Sequence, residues 1–299
     1  MSFSDLPKYQ PGLRIGAHMP TAGGLHNALR SGQAVGCDVI QIFTKSPQQW
    51  KTKEFTDADV EKFVEAQKET GILCLAAHDS YLINPAAADA ELLQKSRDAL
   101  ADELRRSALL GLPFVVMHQG AIGPATEEEA LMRLADSVKY VLDTVPEGGP
   151  QLLLETTAGQ GKCLGYRFEQ IAYVLEALDR DPRVGVCVDT CHLFAAGYDL
   201  RDAESYTATM AEFDRLIGLD RIRMVHANDS KKELGSRVDR HEAIGKGHIG
   251  PEAFRLLLTD PRLLNVPIIL ETPKEGEMDP VNLAALRRAA GLLAENPAE

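Results

Sequence analysis

Seven ionisable side chains each close a short apolar run: His18, His78, His118, Glu155, Asp189, His226 and Glu271. Imidazoles and carboxylates without thiolates are the ligand chemistry of catalytic zinc, or of manganese and iron. Two local spacings add to the set. Asp189-Thr-Cys-His192 places an imidazole three residues after a carboxylate, and Asp239-Arg-His241 offers a carboxylate and an imidazole two apart in a glycine-rich loop. Acids and imidazoles crowded together would repel or desolvate one another, so a cationic centre is expected among them. The five cysteines (Cys37, Cys74, Cys163, Cys187 and Cys191) form no C-x-x-C pair, so neither a disulfide framework nor a thiolate zinc site is expected. Cys74 and Cys187 lie inside apolar runs and read as small core residues.

The elements that must position these residues follow from the runs themselves. Leu13–His18, Val39–Phe43, Ile72–His78, Phe114–His118, Leu152–Glu155, Val184–Asp189, Ile222–His226 and Val266–Glu271 make eight β-rich stretches. Their ends are separated by 25, 35, 40, 37, 34, 37 and 45 residues, about the length of one βα unit. Between them lie helical patterns such as Asp57–Thr70, Glu91–Leu110 and Glu127–Val145, with a last one near Pro280–Leu293. Several runs are apolar almost throughout, as parallel strands covered on both faces should be. The expected fold is a single-domain (β/α)8 TIM barrel over residues 1–299, with residues 1–12 as an N-terminal arm and 294–299 as a frayed tail. In such a barrel the site forms where the C-terminal strand ends meet, which is where seven of the eight runs carry an ionisable residue.

With 44% hydrophobic and 25% charged residues in 299, the composition excludes a disordered or collagen-like chain. No apolar run approaches the roughly 18 residues that span a membrane, and MSFSDLPKYQPG lacks the regions of a signal peptide. An intracellular, cytoplasmic protein is expected. The net charge of −12 argues against broad electrostatic binding of a polyanion, although bound metal ions are not counted in it.

GAHMPTAGG (16–24), FTKSPQQW (43–50), HDSYLIN (78–84), LLLETTAGQG (152–161), VDTCH (188–192), HANDSKKELGSRVDRHEAIGKGHIG (226–250) and LETP (270–273) resemble the signatures of the endonuclease IV family of apurinic/apyrimidinic endonucleases. The resemblance runs from about residue 14 to 290. It implies three zinc ions on nine protein ligands, with manganese an alternative at one position. His78 and His118 would hold the first ion, with Glu155 bridging to the second. Asp189, His226 and Glu271 would complete the second, and His192, Asp239 and His241 would hold the third. His18 is expected near the site, and His26 and His248 are expected to be structural. Four ligand carboxylates against three Zn²⁺ leave a local +2, which reconciles an acidic body with a phosphodiester substrate. Lys231, Lys232, Arg237, Arg240 and Lys246 would add a basic rim.

The expected reaction is DNA repair by hydrolysis of the phosphodiester 5′ to an abasic site, leaving a 3′-hydroxyl and a 5′ deoxyribose phosphate. A hydroxide on the Glu155-bridged pair would attack phosphorus in line and the third ion would stabilise the leaving 3′ oxygen, with Glu155 positioning the nucleophile or serving as general base. Abasic duplex DNA is the expected partner, read by bending and extrusion of the baseless sugar, and the enzyme is expected to act as a monomer. By resemblance, Tyr81 and Leu82 would wedge into the helix. Two positions depart from the family pattern: Gln48 stands where an inserting arginine is frequent, so Gln49 could share that task, and Gln119 stands where proline usually follows the histidine ligand. Cys163 has no assigned role. A single-metal sugar isomerase or epimerase could be built from Glu155, Asp189, His226 and Glu271, but has no use for His78, His118, His192, Asp239 and His241. A silent metal-dependent DNA-binding protein would have lost a nucleophile-binding ligand, and none is missing.

Overall fold

The computed structural model describes residues 12–145, 148–274, 276 and 278–294. The expected arm and tail thus lie almost wholly outside the described residues. Strands β1 (Ile15–His18), β2 (Val39–Phe43), β3 (Leu73–His78), β4 (Phe114–Met117), β5 (Gln151–Glu155), β6 (Val184–Asp189), β7 (Ile222–His226) and β10 (Ile268–Leu270) form a closed, all-parallel barrel. A two-residue ribbon, β8 (Asp229–Ser230) against β9 (His241–Glu242), stands apart from it. Helices α1 (Leu25–Val35), α2 (Asp57–Thr70), α3 (Ala90–Leu109), α4 (Glu127–Thr144), α5 (Phe168–Ala177), α6 (Thr190–Ala196), α7 (Ala203–Leu216), α8 (Pro251–Thr259) and α9 (Asp279–Ala289) complete the chain. None among the described residues is long and apolar enough to cross a membrane.

The expected TIM barrel is therefore the observed fold. Helices α2 and α4 begin where Thr56 and Thr126 close capping boxes with Asp59 and Glu129, so their exposed first turns are satisfied locally. Helix α9 ends earlier than expected, because Gly291 takes a left-handed backbone (φ 72°) just beyond it. Two elements have no counterpart in the expected eightfold pattern: α6, directly on the end of β6, and the β8–β9 ribbon after β7.

Alternation along the strands sorts the barrel into two layers of contact. Ile40, Ile42, Leu152, Leu154, Val186, Val188, Val225 and Leu270 belong to the large core that includes the helices. Val39, Leu75, Ala76, Val116, Leu153, Cys187, Met224 and Ile269 form a separate apolar cluster, the filling of the barrel interior. Two residues beyond an interior residue the side chain returns to the same face. Ala76, Val116, Leu153, Cys187, Met224 and Ile269 are followed two positions on by His78, His118, Glu155, Asp189, His226 and Glu271. The apolar plug is thus the floor on which the ionisable layer stands. Gly16 closes the ring between β1 and β2, since a Cβ there would lie 1.6 Å from the Val39 carbonyl oxygen.

Candidate metal centre

Glu155, fully buried, is the hub of the layer. Its Oε2 lies 3.0 Å from His78 Nε2 and 3.1 Å from His118 Nε2, and its Oε1 lies 2.8 Å from His226 Nδ1. Three groups of ligand-type atoms, each within 4.8 Å of one another, surround it: His78–His118–Glu155, Glu155–Asp189–His226–Glu271, and His192–Asp239–His241. The nine side chains named from the sequence are the nine brought together, and Glu155 is shared by two groups. A further grouping adds Cys191 to Asp189 and His241, but burial pushes its thiol up to about 12, so it is a protonated core residue.

Whether these residues suit a cation is decided by which way the imidazoles face. The far nitrogen of four of them is anchored to an oxygen that can only accept: His78 Nδ1 to the Asp79 carbonyl (3.0 Å), His192 Nδ1 to the Thr156 carbonyl (2.8 Å), His241 Nδ1 to the Glu271 carbonyl (3.0 Å) and His226 Nε2 to the Gln41 amide oxygen (3.0 Å). Each anchored nitrogen must carry a proton, so when a cation displaces the second proton it is the nitrogen facing the carboxylates that offers the lone pair, the arrangement that metal-binding histidines need. In the third group, His192 Nε2 and His241 Nε2 lie 3.1 and 3.2 Å from the Asp239 oxygens. Both nitrogens are nevertheless buried without a hydrogen bond, because they are close to the carboxylate without being aligned on it. Lone pairs converging on a shared point fit a divalent ion.

The electrostatics agree. Burial opposes ionisation of Glu155, but His226 and His118 outweigh it and hold the carboxyl well below the usual range. Burial likewise opposes protonation of His78, and the Glu155 hydrogen bond and charge reverse that and push it to about 9. His241 is pushed to about 9 against its burial by the neighbouring carboxylates of Asp189 and Asp239. A cation needs the neutral rings, so it must displace these protons. Apparent zinc affinity is therefore expected to rise with pH up to about 9 and to fall below it, by about tenfold per unit for each proton displaced. Calorimetry in buffers of different ionisation enthalpy would read the released protons, and binding independent of pH between 6 and 9 would contradict the assignment.

Several groups in the site escaped sequence reasoning. Gln41 on β2 supplies the eighth strand's contribution, donating to Glu271 Oε1 at 2.7 Å while its oxygen accepts from His226 and its Nε2 lies 3.0 Å from His18 Nδ1. The legible signal was a lone polar residue within Val-Ile-Gln-Ile-Phe, two positions before the run's end. Asn228 donates to Asp189 Oδ2 at 2.6 Å and accepts the Glu271 backbone N–H at 2.8 Å, tying the carboxylate of one ligand to the main chain of another in the same group. His18 does stand beside Glu271, at 3.4 Å, whereas His26 and His248 join no group among the described residues.

A family described as a xylose isomerase-like TIM barrel matches residues 29–295. A protein named "Probable endonuclease 4" from Chloroflexus aggregans is 51% identical over 276 residues, covering 92% of this chain and 96% of that protein. The chain belongs to the endonuclease IV family. The crystal structure of endonuclease IV from Thermus thermophilus superposes with a TM-score of 0.82 at 37% identity, covering 93% of this chain and 99% of that one. A D-allulose 3-epimerase from Methylomonas sp. shares the barrel alone, with a TM-score of 0.65 at 16% identity over 96% of both chains.

In this member of the endonuclease IV family, the side chains expected to meet DNA lie on loops around the same strand ends. Tyr81 is 65% exposed, with its ring 5.6 Å from Phe43 and 6.2 Å from His78. Leu82 beside it is half-buried, and Gln48, Gln49 and Arg240 are exposed. Ser80 Oγ donates to the Pro47 carbonyl at 2.7 Å, tying the Tyr81 loop to the Gln48–Gln49 loop. The latter loop is rooted by buried Lys45, which pairs with Asp102 and Glu103, and by Arg106, which donates to the Thr44 carbonyl at 2.9 Å. Gln119 is buried with its amide unpaired, against Gly165.

Proposed function

We propose that this chain is an apurinic/apyrimidinic endonuclease of DNA repair, hydrolysing the phosphodiester 5′ to an abasic site to leave a 3′-hydroxyl and a 5′ deoxyribose phosphate. The observation that carries the reading is the set of three ligand groups, two of them sharing Glu155, on the rim of an endonuclease IV barrel. His78, His118 and Glu155 would hold one zinc ion, Glu155, Asp189, His226 and Glu271 a second, and His192, Asp239 and His241 a third, with manganese an alternative at one. Such ions, when bound, supply an activated water, neutralise charge on the phosphoryl oxygens and stabilise the departing 3′ oxygen.

The protein's own part is orientation. Glu155, fully buried at the centre of the layer, would accept a hydrogen bond from the attacking water and aim it at phosphorus. Gln41 and Asn228 fix Glu271, His226 and Asp189 from behind. Arg240 and the exposed Lys231, Lys232 and Lys246 steer the phosphate backbone. Tyr81 and Leu82 fill the gap left by the missing base, and Gln48 and Gln49 press from the neighbouring loop. The barrel rim accepts the duplex in a single chain, so a monomer suffices.

Tyr81→Ala is expected to weaken binding of an abasic duplex by about 10- to 100-fold, the worth of one stacking contact, with bound metal unchanged. Equal affinity in a gel-shift titration would remove the wedge assignment. A one-metal sugar isomerase leaves His78, His118, His192, Asp239 and His241 without a purpose, and the two groups they form favour the nuclease.

The deciding experiment is incision of a labelled duplex carrying one tetrahydrofuran abasic analogue, beside an intact duplex. The analogue cannot undergo β-elimination, so cutting must be hydrolytic. Specific cleavage leaving an end that a polymerase extends is the expected result. Metal-replete protein that binds the analogue without cutting it would be a silent DNA-binding protein, and one that ignores it would point to sugar substrates.

A further inference from the structure

The His192–Asp239–His241 group is assembled from two pieces of chain: α6, and the segment in which the loop after β8 runs into β9. Asp239 is its least anchored member, with a side chain 37% exposed, on a loop that belongs to no strand. Its backbone N–H donates to Gln160 Oε1 at 3.0 Å, across from the loop that follows β5. Two residues earlier, the Arg237 guanidinium lies over the Tyr166 ring, 3.8 Å from its centroid. Arg237 also donates its N–H to the Ala195 carbonyl at 2.9 Å, and Gly235 donates to the Phe194 carbonyl at 3.0 Å. Both carbonyls lie in the last turn of α6, the helix that carries His192, and that of Phe194 also accepts the capping Gly197 N–H.

Two backbone features mark this contact as built. Arg237 adopts φ 56°, a left-handed conformation that a side chain of its kind rarely takes and that surrounding contacts must hold in place. Opposite it, Gly159 (φ 77°) leaves the space the stack occupies: a Cβ there would lie 2.8 Å from Arg237 Nη1 and 2.8 Å from Tyr166 Cγ. A side chain at 159 would therefore crowd both members of the stack.

We propose that Gly159, Gln160, Tyr166 and Arg237 form a latch that positions Asp239 and thereby sets the affinity of the His192–Asp239–His241 group for its divalent cation. The inference rests on the metal reading proposed above. Released from the latch, Asp239 occupies its ligating position for only a fraction of the time, and the apparent affinity falls by that fraction. These are positioning residues, acting through Asp239.

The test is zinc titration of the full-length protein in competition with a chromophoric chelator, with metal content counted by mass spectrometry. Wild type is expected to bind three equivalents. Arg237→Ala and Tyr166→Ala are expected to weaken one equivalent by about tenfold or more, leaving the other two unchanged, while Tyr166→Phe, which keeps the ring face, retains wild-type affinity. Gln160→Ala, an exposed substitution that leaves the core untouched, shifts the same equivalent in the same direction. Excess zinc restores incision by Arg237→Ala. Three equivalents held with wild-type affinity by these variants would overturn the latch, as would weakening spread evenly over all three. Incision lost in Arg237→Ala with metal binding intact would make this arginine a DNA contact instead. Wild type holding fewer than three equivalents would overturn the three-group reading itself, and the latch with it, before any variant is made.

Discussion

Glu155→Gln is expected to lower kcat/KM on the abasic-analogue duplex by about 10³-fold or more, on the order of 4 kcal/mol of transition-state stabilisation, and to leave the protein unable to hold its full metal complement. The size follows from position. Glu155 is fully buried, and its two oxygens face His78, His118 and His226 at 2.8–3.1 Å. An amide of the same shape offers one acceptor and one NH₂ donor, so at least one imidazole meets a donor where it met a carboxylate, and the bridge between two groups is lost. Metal content and incision must be measured on the same preparation. Near-normal incision with a full complement of metal would refute both the bridging and the orienting role.

Removing the metal should have the second largest effect: no detectable incision, and a large fall in thermal stability that added zinc reverses. Ions held only by the folded chain stabilise it by about 4 kcal/mol per site when free ion exceeds Kd 1,000-fold. At roughly 2 °C per kcal/mol for a chain of this size, chelation lowers Tm by about 8 °C for each occupied site, or roughly 24 °C when all three are filled. The pH dependence of the chelated protein carries a second signature. His78 and His241, pushed up to about 9, contribute stability that is full below the ordinary histidine pKa near 6.5 and lost as pH rises through about 9. Chelated protein therefore loses stability between pH 6.5 and 9, where metal-replete protein, with those rings neutral and ligated, does not. Coincident melting curves with and without chelator across that window would rule out a metal-stabilised centre.

Much of this molecule is determined locally and is therefore readable from the sequence. The runs that became β2, β6 and β7 and the pattern that became α2 coincide with the observed elements, because burial on both faces of a strand and on one face of a helix leaves a periodic trace in the residues themselves. Ligand type is equally local: an imidazole or carboxylate two residues beyond an interior apolar position must stand on the barrel's floor. The partition into three groups came from resemblance to the endonuclease IV family, since spacing along the chain does not say which rim residues share an ion.

The remaining features depend on barrel closure and on loops meeting across it. Gln41 and Glu271 are 230 residues apart and bond at 2.7 Å because β1 pairs with both β2 and β10. Asn228 meets Asp189 across 39 residues, and Gln160 meets Asp239 across 79. Helix α6 is too short at 7 residues, and too thoroughly buried, to show an amphipathic period. The sequence by itself determined the barrel and the chemistry of its rim, because periodicity and residue type are properties of neighbours in the chain. Only the tertiary structure decided what stands behind each ligand, Gln41 and Asn228 among them, and what holds Asp239 in place, because those contacts join residues that no local pattern relates.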